Sequence, residues 1–283
     1  MITEAEARVQ LSRVLNVHGI TANVLPLKPQ TGPVDAYVFA DETRVFKVFS
    51  PLLRERADLQ AARQAEVSSH GLAPQVLLYD DLVFAMPRLD GPDISHSPQL
   101  EDIQAAGLWL NTFHGLTERK FPFRPIGQLR WIARLLQQAD ARTRFIPDPD
   151  SFRLAAKRTE DYAQDTRKQK SRRAVTHRDM TLTNLVRHGN RLYGIDFENS
   201  LEDEPLRDLF TLLLDLATME QLHLLAPLRE SYGDKHTAAP VRLFLQRCFC
   251  LWVWANTPEH PSRRHLRRLA FAKELLAEDV LIL

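Results

Sequence analysis

The sequence predicts an α+β chain of two lobes, a small antiparallel-sheet lobe followed by a larger, mostly helical one. Three observations predict it. Runs rich in β-branched and aromatic residues crowd into roughly the first ninety positions. Long segments of helical apolar periodicity fill most of the remainder. Among those segments lies Gly189-Asn190, a two-residue turn between alternating runs that marks an embedded hairpin.

Each element has its own signal. Residues 1–10 are acidic and helix-like. Residues 35–40 and 43–49 read as strands joined at Asp41-Glu42, and residues 75–79 and 82–86 repeat the pattern around Asp80-Asp81. Between the pairs, residues 52–69 read as one helix, with Pro51 at its start and Gly71 beyond its end. Arg88-Leu89-Asp90-Gly91-Pro92 is turn-rich and sets the expected division, residues 1–89 as one domain and 90–283 as the other. Helices are expected over 98–114, 126–140, 151–166, 205–220, 239–255 and 261–277, and a β island over 173–176, 185–188 and 191–195.

Composition narrows the classes. The chain has 283 residues, 44% of them apolar, enough for a substantial core. Lys plus Arg number 37 and Asp plus Glu 36, a net charge of +1 that argues against a dedicated nucleic-acid binder. No apolar run, 248–254 among them, approaches the roughly 20 residues of a membrane span, and the N-terminal residues lack a signal-peptide pattern. Cys248 and Cys250 are too close for a stapling framework and read as buried thiols in a reducing, cytoplasmic setting.

The informative stretch is Val175-Thr176-His177-Arg178-Asp179-Met180-Thr181-Leu182-Thr183-Asn184-Leu185-Val186, followed by Leu192-Tyr193-Gly194-Ile195-Asp196-Phe197-Glu198. A strand delivers His177 and Asp179 into a loop that Asn184 closes, and the hairpin returns Asp196 toward it. Asn and Asp oxygens suit Mg²⁺, a hard cation that completes its shell with phosphate and water. Asp179 is then left to accept a hydrogen bond from a hydroxyl nucleophile.

These residues resemble the H-R-D-x-x-x-x-N loop and the D-F-x metal motif of the protein-kinase-like superfamily. Ile195-Asp196-Phe197-Glu198 and the helix ending Leu108–His114 are similar to its aminoglycoside phosphotransferase and choline/thiamine kinase branch. The resemblance implies a bilobal protein-kinase-like fold and an ATP- and Mg²⁺-dependent transfer to a hydroxyl of a small-molecule acceptor. Asp179 would orient or deprotonate the acceptor, Asn184 and Asp196 would hold the metal, and His177 would brace the loop. Lys47, flanked by apolar neighbours on its strand, would grip the non-transferred phosphates. Val45, Lys47 and Phe49 share one strand face, Phe46 and Val48 the other.

The acid paired with Lys47 is open between Asp58, Glu66 and Glu55; Arg56-Ala57-Asp58-Leu59 resembles an R-x-x-E-L string of the branch and favours Asp58. The phosphate loop, residues 25–35, holds one glycine, Gly32, and three prolines, which predicts loose nucleotide binding. Met86 and Arg88 would supply backbone contacts to adenine. Glu198, beside Asp196, is a candidate acceptor-binding acid within the run Glu198, Glu202, Asp203, Glu204. Asp208 falls at the spacing of the family's structural aspartate, yet Glu204, Asp208, Thr211, Asp215 and Thr218 also form the stripe of an outward helix face. Trp252 and Trp254 read as core or as a cage for a quaternary amine. The basic clusters 167–173 and 263–268 read as solvated surface or as attractors of an anionic acceptor. A protein or lipopolysaccharide kinase, suggested by Arg178, and a nucleotide-binding pseudokinase module are the alternative functions.

Overall fold

The computed structural model describes every residue except 28, 29, 31 and 234–236. Along the chain, α1 (Glu4–Val17) leads into β1 (Leu25–Pro26), β2 (Ala36–Ala40), β3 (Arg44–Phe49), α2 (Arg54–Ser69), β4 (Leu78–Asp80) and β5 (Val83–Pro87). Then come α3 (Leu100–Gly115), β6 (Arg119–Pro122), α4 (Ile126–Asp140), α5 (Pro149–Tyr162) and β7 (Lys170–Thr176). The hairpin β8 (Leu185–His188) and β9 (Arg191–Gly194) follows, then β10 (Leu201–Asp203), α6 (Leu206–Thr218), α7 (Leu225–Tyr232), α8 (Ala239–Ala255) and α9 (Arg263–Glu278).

Two compact units emerge, and they differ from the expected division at residue 89. The first contains residues 1–97 together with 183–200, and the second contains residues 98–182 and 201–283. The hairpin joins the first unit because its strand edge is hydrogen-bonded there: Ile94 N–H donates to Leu185 O at 3.0 Å and Arg187 N–H to Pro92 O at 3.1 Å. Gly194 N–H donates to Leu72 O at 2.9 Å. Gly91 is glycine because of this junction, since a Cβ there would stand 2.2 Å from Arg187 O.

In the first unit the antiparallel sheet runs β1-β2-β3-β5-β4. Strand alternation divides its side chains as the sequence predicts. Phe46 and Val48 join Ala7, Leu11, Val14 and Phe39 in the core against α1, while Phe49 and Phe84 pack with Ala57 and Ala61 of α2. A Thr3–Glu6 capping box starts α1. The β2–β3 turn is held by the Asp41 carboxylate, which accepts from Thr43 N–H at 2.9 Å and Arg44 N–H at 2.6 Å.

In the second unit β7 is the centre of a sheet ordered β10-β7-β6 and does not join the hairpin, so the expected β island is two separate structures. Strands β6 and β10 carry Arg-Lys and Glu-Asp, respectively, and had no apolar alternation to announce them. Helix α8 is buried on nearly every side, including Cys248 and Cys250, whose thiols burial pushes far above their ordinary range. Among the described residues no helix is long and apolar enough to cross a membrane.

Candidate active site

The first unit contains a cavity of about 700 Å³. Its sheet wall presents Val38, Val45, Lys47, Phe84 and Met86, its helix wall Gln60, and the hairpin segment Asn184, Val186, Ile195 and Asp196. Antiparallel register explains the sheet wall: Val45 faces Met86 and Lys47 faces Phe84 across β3 and β5, putting all four on one face. Ile195 N–H donates to Asn184 O at 3.0 Å, which closes the hairpin base and brings Asn184 level with the residue before Asp196.

Lys47 Nζ donates to Asp196 Oδ1 and to Glu198 Oε2, each at 2.5 Å. Burial alone would lower this ammonium's pKa, but attraction to Asp196 and Glu198 raises it above the ordinary lysine value, so it is a fixed cation. Asn184 and Asp196 supply oxygen donors in the same cavity. Among the described residues no group of three His, Cys, Asp or Glu side chains forms a metal cage. Two protein oxygens with a neighbouring ammonium suit a Mg²⁺ that takes its other ligands from phosphate and water.

The second unit holds the loop that carries Asp179. Asp208, fully buried on α6, accepts from His177 N–H at 2.7 Å on Oδ2 and from Arg178 N–H at 2.9 Å on Oδ1. Asp215, two helical turns further on, accepts from Leu182 N–H at 3.2 Å. Two carboxylates thus grip both ends of the loop, whose Met180 and Leu182 are buried while Asp179 is exposed between them. Asp208 and Asp215 of the stripe therefore face inward, where the loop's backbone donors meet them, and Glu204 and Thr218 are buried with them.

Asp208 is oriented from behind. His114 Nε2 lies 3.1 Å from Asp208 Oδ2, and His114 Nδ1 lies 3.0 Å from Tyr232 Oη. Burial pushes the His114 pKa down despite the attraction of Asp208. Burial would raise the Asp208 pKa, but the hydrogen bonds from His114 and from the His177 N–H hold it below the ordinary carboxylate range. The stable arrangement is ionised Asp208 beside neutral His114, with the Nε2–H donating to Asp208 and Nδ1 accepting from Tyr232.

The sequence-predicted residues fall into two sets. Lys47, Met86, Arg88, Asn184 and Asp196 line the cavity of the first unit, with Glu198 bonded to Lys47. His177, Asp179 and Asp208 share the loop cradle of the second. Three expectations need correction. Asp58 accepts from Tyr79 Oη at 2.5 Å rather than pairing with Lys47, Glu66 pairs with Arg63, and Glu55 is exposed. The buried face of α2 reads Ala57, Gln60, Ala61, Gln64, Val67, and all three acids lie off it. Glu198 is committed to Lys47 and is not turned to an acceptor. Arg88 N–H donates to Thr43 O at 2.8 Å, so it is spent inside the sheet and cannot read an adenine edge. The same alternation directs the Met86 backbone toward β3. Part of the glycine-poor loop, at residues 28, 29 and 31, lies outside the described residues.

Sequence reasoning missed the roles of Asp215, His114 and Gln60. Asp215 stood in the polar stripe, and its i, i+7 spacing from Asp208 was the available signal.

A family model for the phosphotransferase enzyme family (APH) matches residues 32–244. The chain belongs to this phosphotransferase family. Among curated protein sequences none matches it. Solved structures do resemble it, and they show a protein-kinase-like fold. A choline/ethanolamine kinase family protein from Mesorhizobium loti is 18% identical with a TM-score of 0.66, over 97% of this chain and 94% of that one. Choline kinase LicA from Streptococcus pneumoniae is 18% identical with a TM-score of 0.62, over 97% of this phosphotransferase and 99% of its own chain. The ADP-bound aminoglycoside phosphotransferase APH(2'')-Ib is 16% identical with a TM-score of 0.57, over 97% of each chain.

Proposed function

We propose that the protein transfers the terminal phosphoryl group of ATP, with Mg²⁺, to a hydroxyl of a small-molecule acceptor. The observation that carries this reading is the polar set Lys47, Asn184 and Asp196 at one end of an otherwise largely apolar cavity of about 700 Å³, in a chain of this family. ADP- and AMP-bound structures among its structural neighbours support the choice of nucleotide. The first unit would bind nucleotide and the second would supply Asp179 and the acceptor contacts.

Lys47 would hold the non-transferred phosphates, and Glu198 would keep its ammonium in place when Asp196 turns to the metal. Asn184 and Asp196 would hold Mg²⁺, which neutralises charge on the phosphates. Asp179 would orient the acceptor hydroxyl and receive its proton as the acceptor oxygen bonds to the γ-phosphorus and the bond to the β-phosphate oxygen breaks. The products are a phosphate ester and ADP, and the proton passes to solvent. Asp179 and Asn184 are five positions apart, so one short loop supplies both groups. For adenine, Pro87 C=O is the better-placed acceptor, since it points the same way as Ala85 C=O, which receives Leu77 N–H at 2.8 Å where β4 begins. Only seven residues separate Phe197 from Pro205 and strand β10 takes three of them, which leaves little chain for a peptide-docking segment and supports a small acceptor. The buried thiols and the lack of a spanning helix among the described residues support a cytoplasmic setting.

Asp179→Ala should lower transfer by about 10²-fold or more while nucleotide affinity stays close to that of the parent. Asp196→Ala should weaken Mg²⁺-dependent nucleotide binding, read by calorimetry with and without the metal. Full turnover on a phosphorylated acceptor in both variants would overturn the mechanism.

A further inference from the structure

Around the loop that presents Asp179, guanidinium groups share carboxylates in pairs. Arg264 and Arg268, one turn apart on α9, both approach the same oxygen of Asp215, at 2.7 Å and 3.4 Å. The other oxygen of Asp215 is the one that holds Leu182 N–H, three residues beyond Asp179. One carboxylate therefore answers two guanidinium groups. The side chain of Arg268 is only 19% exposed, and its Nε is buried with no hydrogen-bond acceptor among the described residues. Burial pulls the Arg268 pKa down, against the attraction of Asp215 and of Asp179 itself.

A second shared carboxylate lies at the other end of the loop. Arg178 Nε is likewise buried without a hydrogen bond, and the nearest carboxylate, Asp203, stands 3.6 Å away. Asp203 is already paired with Arg207 at 3.2 Å. The remaining acids of the region are committed as well: Asp208 to His114 and the loop backbone, Glu204 to Ser171 Oγ at 2.8 Å, and Glu202 to Arg119.

The aromatic residues that could cage a quaternary amine are occupied by protein cations. The Arg207 guanidinium stands 5.3 Å from the Trp252 ring centroid. Lys273 Nζ lies 4.2 Å from that of Trp254, whose Nε1–H is bound to Pro147 O. A cationic acceptor would meet guanidinium groups where it needs carboxylates or open π faces.

We infer that the acceptor alcohol carries an oxyanion, a carboxylate or a phosphate, which Arg268, Arg264 and Arg178 hold beside Asp179. The inference rests on the phosphotransferase reading above and names the acceptor's chemical class. Guanidinium groups that share one carboxylate between two keep further N–H donors for the lone pairs of such a group, and charge-assisted pairing would fix the alcohol in register.

The protein with ATP and Mg²⁺ is assayed on glycerate, glycerol 3-phosphate, glycerol and choline. At least one of the two anions should exceed glycerol in kcat/KM by tenfold or more, which also tells carboxylate from phosphate, and choline should be the poorest. Arg268→Gln and the more exposed Arg264→Gln should each cut the anion-to-glycerol ratio several-fold, while Arg153→Gln on α5 leaves it unchanged. A preference for choline or glycerol, or an unmoved ratio in both variants, overturns the inference. Binding is read separately as the rise in thermal midpoint with inorganic sulfate in saturating ADP and Mg²⁺, expected to be saturable and lost in the two arginine variants. Sulfate indifferent to those variants, alongside working phosphoryl transfer, sinks the oxyanion site and spares the phosphotransferase reading. A sulfate response that needs the arginines, with no nucleotide binding and no transfer to any alcohol, does the reverse.

Discussion

Arg178 adopts φ of 66°, in the left-handed region that disfavours side chains. It is held there because Asp208 takes its N–H and that of His177 with two oxygens of one carboxylate, which forces the chain to reverse. Glycine at this position would adopt the angle without strain. Arg178→Gly should therefore raise stability by about 0.5–1 kcal/mol in denaturant unfolding, since its ion pair with Asp203 at 3.6 Å is partly exposed and weak. A net loss of stability would mean that the side chain's contacts outweigh the strain. An arginine kept in spite of the angle accords with a guanidinium used for its donors. Lys47 shows what residue type reveals beside a motif: a lysine between apolar neighbours on a strand, read together with the His177–Asn184 resemblance, pointed to the cavity wall. Its partners were less readable. Choosing Asp58 required the rotational phase of α2, and the 3₁₀ turn over Pro51–Leu53 blurs where that helix begins.

At the level of elements, the second unit depends on how closely its helices approach. Gly107 on α3 meets α7 so tightly that a Cβ would lie 2.7 Å from Leu228 O and 2.0 Å from Ser231 Oγ. Its φ gives no reason for glycine, and nothing in the sequence separated it from a tolerated helical glycine. Gly107→Ala should cost about 1–3 kcal/mol through overpacking, measured by denaturant midpoint. An unchanged midpoint would show that α7 can yield. Helix α6 illustrates the limit of periodicity as a signal. Acids at i and i+7 look identical in sequence whether they face water or, as here, the amide groups of a neighbouring loop. By contrast, the Gly189-Asn190 turn was legible because it is local: Gly189 takes φ of 56°, which the tight hairpin requires. Helices α4 and α8 were equally legible, with apolar stripes long enough to fix both ends.

For the molecule as a whole, the buried His114–Asp208 pair ties stability to acidity. His114 is held neutral by burial, below its ordinary value of 6.5, so the folded chain binds fewer protons there than the unfolded chain. Its contribution is complete above pH 6.5 and is lost as pH falls below that value. The depressed Asp208 carboxyl adds a loss in the same direction at still lower pH, below its ordinary 3.8. The thermal midpoint should fall on acidification from pH 7 to 5, and His114→Gln should flatten that fall. An equally steep decline in the variant would place the sensitivity elsewhere. The fold class and the gathering of Lys47, Asn184 and Asp196 at one cavity were readable because they rest on residue type, short spacing and motif resemblance. The partition into units was not, since it depends on hydrogen bonds between residues about ninety positions apart, such as Ile94 to Leu185.

That partition bears on biosynthesis. The first unit is discontinuous in sequence, and residues 183–200 complete it after eighty-five intervening residues have been translated. A nascent chain of 97 residues has Lys47 but neither Asn184 nor Asp196, so it presents half a cavity with an unneutralised ammonium. A gene truncated at residue 97 should therefore encode a fragment without the cavity's second wall, and ribosome stalling before residue 200 leaves a sheet whose missing wall is still to be made.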